Sequence, residues 1–456
     1  MNIFKEREAI GTLLDKTVQI AEKYFSTKQL PPGRYINDLE LKDLPVKGIG
    51  TIETLNLFYK KYAHQIADSN GPRYFGFVTG GTTPAALAGD WLVSTYDQNA
   101  FGSNDSIAPQ LERQTIHFLK QLFELDNSYF GTFVTGATVS NFTNLAIARQ
   151  WIGEQSQIDI SNEGVFNLNF KVLSGTAHSS IFKSLSMLGI GRNSLQKIDT
   201  LENREAIDVD LLEMALKQIN TPCIVIANAG TVNTVDFDDL VAIGELKKKY
   251  NFWLHVDAAF GGFAALSEKH AHYVKGINNA DSITIDGHKW LNVPYDSAMQ
   301  FSKHKKLQLK VFQNSAAYLG DPDVSPDYFH YTPENSRRFR ALPAWFTLMA
   351  YGREGYAEII ERNCAMAKLL GDWIETSDKF TLLSPVRMNV VCFTLKRKEI
   401  SFDDIKGYLA RIREDGRVFF TPTLYKGVPA IRAAISNWQT QEKDIQITIE
   451  ALKEID

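Results

Sequence analysis

The sequence predicts an α/β protein, with a large domain on a mostly parallel sheet covered by helices on both faces, then a smaller α+β domain. Three observations carry this. Between about residues 110 and 300, short apolar runs alternate with stretches of helical periodicity, the pattern of a sheet whose crossovers are helices. The run Cys223-Ile224-Val225-Ile226-Ala227 has no polar face, as expected of a strand covered on both sides. After about residue 320 a polar, proline-bearing loop ends the alternation, which marks a second domain.

The elements follow in order. Residues 4–26 place Ile10, Leu13, Leu14, Val18 and Ala21 at helical spacing, and Pro31-Pro32-Gly33 breaks that helix. A helix over 51–69 sets Leu55, Phe58, Tyr62 and Ile66 on one face, with Thr51 as its cap. Residues 1–70 are therefore read as a helical segment that must lie on something larger. In 71–310, the large domain, an aromatic and glycine-rich stretch (73–84) leads into a helix from Ala85. Helix 109–124, strand 131–134 and helix 139–152 come next, followed by strand 170–174, helix 179–188 and a short strand at 195–198. Helix 208–219, strand 222–228, helix 238–250 and strands 252–256 and 281–285 complete it. In 311–456 come the loop at 319–335, a long helix from Pro343 through the Trp373 region, strand 389–395, and helices 402–415 and 441–455. No internal repeat or low-complexity tract interrupts this order.

Composition narrows the function. A formal charge of −4 with no basic stripe argues against a nucleic-acid partner. No apolar run reaches membrane-spanning length, and the charged start Met1-Asn2-Ile3-Phe4-Lys5-Glu6 has no apolar signal core. Three widely spaced cysteines, Cys223, Cys364 and Cys392, fit reduced thiols rather than a disulfide frame or a metal site. A cytoplasmic enzyme without a metal is expected.

Ligands of such sheets bind beyond the carboxyl ends of the strands. Gly136, Thr231, Asp257 and Lys289 all fall there. In Ser282-Ile283-Thr284-Ile285-Asp286-Gly287-His288-Lys289-Trp290-Leu291 an alternating strand runs into a turn that carries a lysine. A lysine after a histidine is usually a surface residue, but the apolar strand before it argues for a pocket. Asp257 ends the strand Trp253-Leu254-His255-Val256 and is followed by Ala258-Ala259 and Gly261-Gly262. An acid in that place is more often a cap, yet small residues let a flat ring approach. An acid ending one strand and a lysine after its neighbour is the pair a pyridoxal 5'-phosphate enzyme needs: the amine for a Schiff base, the carboxylate for the pyridine nitrogen. Thr135-Gly136-Ala137-Thr138 opens a helix after strand Phe133-Val134 and offers free amides for phosphate; capping by Thr138 is the alternative. His178 lies just beyond strand Lys171-Val172-Leu173-Ser174, as a stacking imidazole or as a hydrogen-bonded structural residue.

Together, Ala177-His178-Ser179-Ser180, His255-Val256-Asp257-Ala258-Ala259 and His288-Lys289-Trp290-Leu291 resemble the signatures of the group II pyridoxal-phosphate-dependent amino-acid decarboxylases. That family includes the aromatic-amino-acid, histidine, glutamate and diaminobutyrate decarboxylases. The resemblance covers roughly residues 50 to 440. It implies fold type I, with a seven-stranded sheet, in a homodimer with active sites at the subunit interface. It implies Lys289 as the Schiff-base lysine, Asp257 as the pyridine-nitrogen partner and His178 as the ring-stacking residue. Thr231 would lie beneath the cofactor, and Gly136, Ala137, Thr138 and His288 would hold its phosphate. The family's mobile loop corresponds to Asp327-Tyr328-Phe329-His330-Tyr331, counted back from Arg337-Arg338-Phe339-Arg340. Tyr328 would protonate the substrate carbon after carbon dioxide leaves, with Tyr331 as the other candidate. Relatives with phenylalanine there resemble aldehyde synthases; an exposed loop aromatic is the plainer reading.

Three departures bear on phosphate and substrate. Asp286-Gly287 stands where many members have asparagine or another residue and a proline. Phe101 to Pro109 replaces a segment that carries tryptophan and Ser-Pro-Ala, and Phe77-Val78 replaces a pair of aromatics. The substrate wall is read as Phe75, Phe77, Thr79, Asn99 and Phe101, a mixed set that favours an aromatic or otherwise uncharged amino acid. Asp97-Gln98-Asn99 would come from the neighbouring subunit. The expected reaction is α-decarboxylation of an L-amino acid. Aldehyde synthesis and carbon–carbon cleavage on the same fold are its rivals. A non-catalytic scaffold would be expected to lack Lys289 or Asp257.

Overall fold

A computed structural model of the chain describes residues 6–27, 31–33, 39, 41–100, 102, 106–166, 168–314 and 327–455. Its centre is a seven-stranded sheet of β1 (Phe130–Val134), β2 (Val172–Ser174), β3 (Leu195–Lys197), β4 (Cys223–Asn228), β5 (Phe252–Asp257), β6 (Ser282–Asp286) and β7 (Ala298–Ser302), in the order β1-β7-β6-β5-β4-β2-β3. From β3 across to β6 all pairings are parallel. β7 runs antiparallel between β6 and β1. Every residue of β4, β5 and β6 is buried, because helices pack on both faces, so apolar residues are favoured at successive positions.

Most of the expected helices and parallel strands are present within a few residues of their predicted ends, but the helix expected over 51–69 stops at Lys61, with a separate 3-10 turn at Ala63–Gln65. Gly50 rather than Thr51 occupies the cap before helix Thr51–Lys61, with no side-chain cap bond. β7 was not anticipated. Its Gln300 looks exposed on paper but is buried, and hydrogen bonds from Thr132 and to Asn144 and Gln308 satisfy it. The helix Ala341–Thr376 is broken by Gly352, whose φ of 59° lies in the left-handed region. Its first half packs into the large core and its second half into the small one.

The small sheet has the order β10-β11-β9-β8 and is antiparallel throughout: β8 (Phe380–Leu382), β9 (Val390–Leu395), β10 (Thr421–Tyr425) and β11 (Val428–Ala434). The β10–β11 hairpin turns through Lys426 and Gly427, both at positive φ, the backbone that tight hairpins require. Helices Phe402–Asp415 and Glu442–Glu454 add to its core. At the N-terminus, Ile10, Leu14 and Val18 on helix Ile10–Thr27, and Leu57 and Phe58 on helix Thr51–Lys61, are solvent-exposed in the single chain. No helix among the described residues is long and apolar enough to cross a membrane.

Candidate active site

The parallel register brings three strand ends to one edge. Asp257, the last residue of β5, pairs with Asn228 of β4 and Thr284 of β6. It is 6% exposed. Its Oδ1 accepts the Ala259 N–H at 3.2 Å and its Oδ2 accepts Asn141 Nδ2 at 3.1 Å.

β6 ends at Asp286. The chain then turns, and the N–H groups of Gly287 and His288 both donate to the Ser297 carbonyl, at 2.9 and 3.0 Å. This throws Lys289 back over the sheet edge, with Nζ 3.8 Å from Asp286 Oδ2 and 5.6 Å from the centre of the Phe260 ring. The backbone is tightly backed there: a Cβ on Gly80 would stand 1.6 Å from the Lys289 carbonyl oxygen. His288 Nδ1 accepts the Ser297 N–H at 3.3 Å, and the ring lies 4.2 Å from that of Tyr295.

Asp286 now has a physical account. Its Oδ2 accepts the Ala137 N–H at 3.3 Å, at the start of helix Ala137–Gln155, and the positive end of the helix dipole favours a carboxylate there. Its Oδ1 lies 3.1 Å from His288 Nδ1. Nδ1 accepts the Ser297 N–H and so offers Oδ1 no proton, and Oδ1 has no hydrogen-bond partner among the described residues. Burial raises the Asp286 pKa, while His288 and Lys289 oppose the shift. The carboxyl group is thus held between a helix start and Lys289.

Gly136 caps that helix, and a Cβ added to it would stand 3.4 Å from His288 Cε1. Thr138 makes no side-chain cap bond. Gly136, Ala137, Thr138 and His288 therefore share one corner, where helix amides and an imidazole meet. His178 caps the next helix, Ser179–Met187. Its Nδ1 accepts the Ser180 N–H at 3.3 Å and is 2.8 Å from Ser180 Oγ. Burial lowers its pKa, so it is a neutral, flat ring at neutral pH; Asp257 opposes the shift, and Lys289 and Arg432 add to it. Asn141 Nδ2 reaches both Asp257 Oδ2 and the Ser180 Oγ that contacts His178, so His178 and Asp257 share the sheet edge that Lys289 follows.

Other expected residues lie elsewhere or do other work. The Thr231 hydroxyl donates to Glu205 Oε2 at 2.6 Å and accepts the Asp236 N–H at 3.0 Å, inside the turn after β4. Thr79 is buried beside the site, its hydroxyl 3.2 Å from that of Tyr295. Phe77 is 61% exposed and lies 6.3 Å from Phe419. Phe75 is packed in the small-domain core against Phe420, away from any wall. Asn99 Oδ1 accepts the Arg337 N–H at 2.8 Å, so it braces the chain before helix Ala341–Thr376. Phe101 lies outside the described residues.

Tyr328 is 2% exposed, which removes the reading as a solvated loop aromatic. It stacks 6.2 Å from Phe130 and lies beside the guanidinium groups of Arg337 and Arg113. Phe130 pairs with Ser302, and Ser302 with Ser282 at the amino end of β6. Lys289 follows the carboxyl end of that strand. Within one chain, Tyr328 and Lys289 are therefore not brought together.

Sequence reasoning missed two residues. Arg432, on β11, is buried; its Nη1 donates to Val232 O at 3.3 Å and its Nε has no hydrogen-bond partner among the described residues. A lone arginine in Ala430-Ile431-Arg432-Ala433-Ala434 was the available signal. Asn141, one turn into the helix after Gly136, touches Asp257 directly. An anion corner, a lysine, a buried carboxyl group with two N–H donors and a neutral imidazole fit the phosphate, aldehyde and ring of pyridoxal phosphate.

Comparison with known proteins agrees. The family model described as the pyridoxal-dependent decarboxylase conserved domain matches residues 55–396. An aromatic-L-amino-acid decarboxylase of Bacillus atrophaeus is 28% identical over 432 residues, covering 91% of this chain and 88% of the relative. Two crystal structures share the fold. Oryza sativa TDC with PLP and tryptamine superposes with a TM-score of 0.89 at 22% identity, over 98% of this chain and 99% of the other. Rhodiola rosea 4-hydroxyphenylacetaldehyde synthase gives 0.85 at 20%, over 100% and 98%. With a family model spanning most of its length and the lysine, aspartate and histidine gathered at one sheet edge, this chain belongs to the group II pyridoxal-phosphate-dependent amino-acid decarboxylases.

Proposed function

We propose that the enzyme removes the α-carboxyl group of an aromatic or otherwise uncharged L-amino acid, releasing the amine and carbon dioxide, as a cytoplasmic homodimer. The observation that carries the reading is the convergence of Lys289, Asp257 and His178 on one edge of the sheet. The name of the Bacillus atrophaeus relative and the tryptamine in the Oryza sativa structure support an aromatic substrate.

Pyridoxal phosphate, when bound, supplies the electron sink for the bond that breaks. The chain's own residues do the rest. The corner of Gly136, Ala137, Thr138 and His288 would hold the phosphate. Asp257, braced by the Ala259 and Asn141 N–H groups, would pair with the pyridine nitrogen. His178, neutral because burial lowers its pKa, would lie against the ring without adding a positive charge. Lys289 would hold the aldehyde carbon. The Arg432 guanidinium, near His178 and only weakly bonded, supplies a counter-charge for an anionic group. Tyr328 is the proposed proton donor, and its separation from Lys289 within one chain requires either movement of its turn or action in the site of a second copy. The exposed apolar residues of helices Ile10–Thr27 and Thr51–Lys61 support a dimer.

Borohydride reduction of the enzyme with pyridoxal phosphate should fix the cofactor on Lys289, located by peptide mass spectrometry. Lys289→Ala should lose both the labelling and turnover; retained turnover in that variant would refute the assignment. Aldehyde synthesis is the second reading, since an aldehyde synthase shares the fold. Hydrogen peroxide and aldehyde measured beside carbon dioxide separate the two, and with Tyr328 present carbon dioxide and amine should be released in equal amounts.

A further inference from the structure

Behind the site runs a chain of buried hydrogen bonds that the reaction as described does not use. Trp253 Nε1 donates to Ser282 Oγ at 2.9 Å; Ser282 Oγ lies 2.9 Å from His255 Nδ1; His255 Nε2 lies 2.9 Å from Asn141 Oδ1; and Asn141 Nδ2 donates to Asp257 Oδ2 at 3.1 Å. Trp253, Ser282, His255 and Asn141 are all fully buried. The same Nδ2 is 3.2 Å from Ser180 Oγ, the atom that contacts His178 Nδ1.

The two ends fix the middle. An indole N–H only donates and an ionised carboxylate only accepts. With Asp257 ionised, the amide of Asn141 must turn its NH2 toward Asp257, which leaves Oδ1 facing His255. Oδ1 only accepts, so His255 carries its proton on Nε2. Burial holds the His255 pKa at about 4, against the pull of Asp257, so the ring is neutral and Nδ1 is bare. Ser282 then accepts from Trp253 and donates to Nδ1. The second amide proton of Asn141 goes to Ser180 Oγ, whose own proton goes to His178 Nδ1. His178 Nδ1 also accepts the Ser180 N–H, so its remaining proton is on Nε2. In this arrangement every group has a partner and nothing can pass a proton to Asp257.

We infer that Asn141 is a positioning residue that governs two groups of the cofactor site at once: its two amide protons keep Asp257 an ionised acceptor and, through Ser180, set the tautomer of His178. The inference rests on the proposed roles of Asp257 and His178. Among the described residues no other touches both arms, and His255 behind it prevents the amide from flipping.

Asn141→Asp is the direct test, because it keeps the shape and replaces the donor by an acceptor. Two adjacent carboxylates share one proton, and the apparent pKa of the pair is raised. Above that pKa the pair carries an extra negative charge, and pyridoxal phosphate, measured by equilibrium binding without substrate, should bind about 10–100-fold more weakly than to wild type. As pH falls through that pKa the proton restores a donor to Asp257, so the ratio of dissociation constants should narrow, and the ratio of kcat values with it. Asn141→Ala should weaken binding by a similar factor with no recovery at low pH, which also covers the case in which the aspartate variant fails to fold. A purely structural role would give a pH-independent loss. Binding within twofold of wild type in Asn141→Ala, or a pH-independent ratio in a folded Asn141→Asp, would overturn the inference. Borohydride labelling of Lys289 in the wild type separates the two levels. If labelling fails, the reading of the site falls; if it succeeds while the variants behave like wild type, only the role of Asn141 falls.

Discussion

At the scale of single residues, the site is defined by how each charge is held. Asp257 receives two N–H donors, whereas Asp286 is fully buried between Ala137, His288 and Lys289. Two carboxylates at adjacent strand ends thereby have different surroundings: one receives two N–H donors, the other sits at a helix start beside Lys289. Asp257→Ala should still bind pyridoxal phosphate through Lys289 and the helix corner, with kcat reduced by at least about 100-fold. Absorbance titration for binding and carbon dioxide release for turnover check this, and near-wild-type turnover would contradict it. The lysine, the aspartate and the histidine could be singled out in the sequence because each follows an apolar strand; the aspartate and the histidine have small residues beside them, and the lysine shares its turn with Gly287. The task of Asp286 was not, since it depends on a helix start 149 residues away. Phe75 was misplaced for a related reason: an aromatic stretch beside a glycine-rich turn reads alike whether it lines a pocket or fills the small-domain core.

At the scale of elements, buried polar contacts join strands to helices. Glu112, on helix Ala108–Leu122, and Arg337 are both fully buried and bonded at 2.9 and 3.2 Å. Arg337 also donates to the carbonyls of Ala100 and Phe133, and Glu112 accepts the Phe133 N–H. This knot ties β1 to the chain that carries Tyr328. Glu112→Ala leaves a buried guanidinium uncompensated and should cost about 3–5 kcal/mol in urea unfolding; a cost below about 1 kcal/mol would mean the pair is solvated. His255, within β5, supplies a pH dependence. Its folded pKa of about 4 lies below the ordinary 6.5. Above pH 6.5 neither the folded nor the unfolded chain is protonated there, and His255 contributes nothing. As pH falls from 6.5 toward 4, the unfolded chain takes up a proton that the folded chain refuses. Wild type should therefore lose about 3 kcal/mol more than His255→Gln over that window, and equal losses would show that His255 titrates normally. Parallel strands and helices were legible from periodicity. β7 and β10 were not, because Gln300 and Pro422 argue locally against a strand and only the neighbouring chain makes them fit.

At the scale of the whole molecule, two cores meet along the helix Ala341–Thr376, and the small domain sets Arg432 against the Val232 carbonyl, in the turn after β4 of the large one. The change of texture after residue 320 announced that second domain, but nothing local in the sequence could say that its sheet would reach the cofactor edge. The central claim is that this edge decarboxylates an L-amino acid. Its most direct test is carbon dioxide release from a panel of L-amino acids by the pyridoxal-phosphate-loaded enzyme, with Lys289→Ala as the blank. The account predicts release from aromatic members, one amine formed per carbon dioxide, and none from the variant. Release of aldehyde and hydrogen peroxide instead, or equal activity in Lys289→Ala, would contradict it.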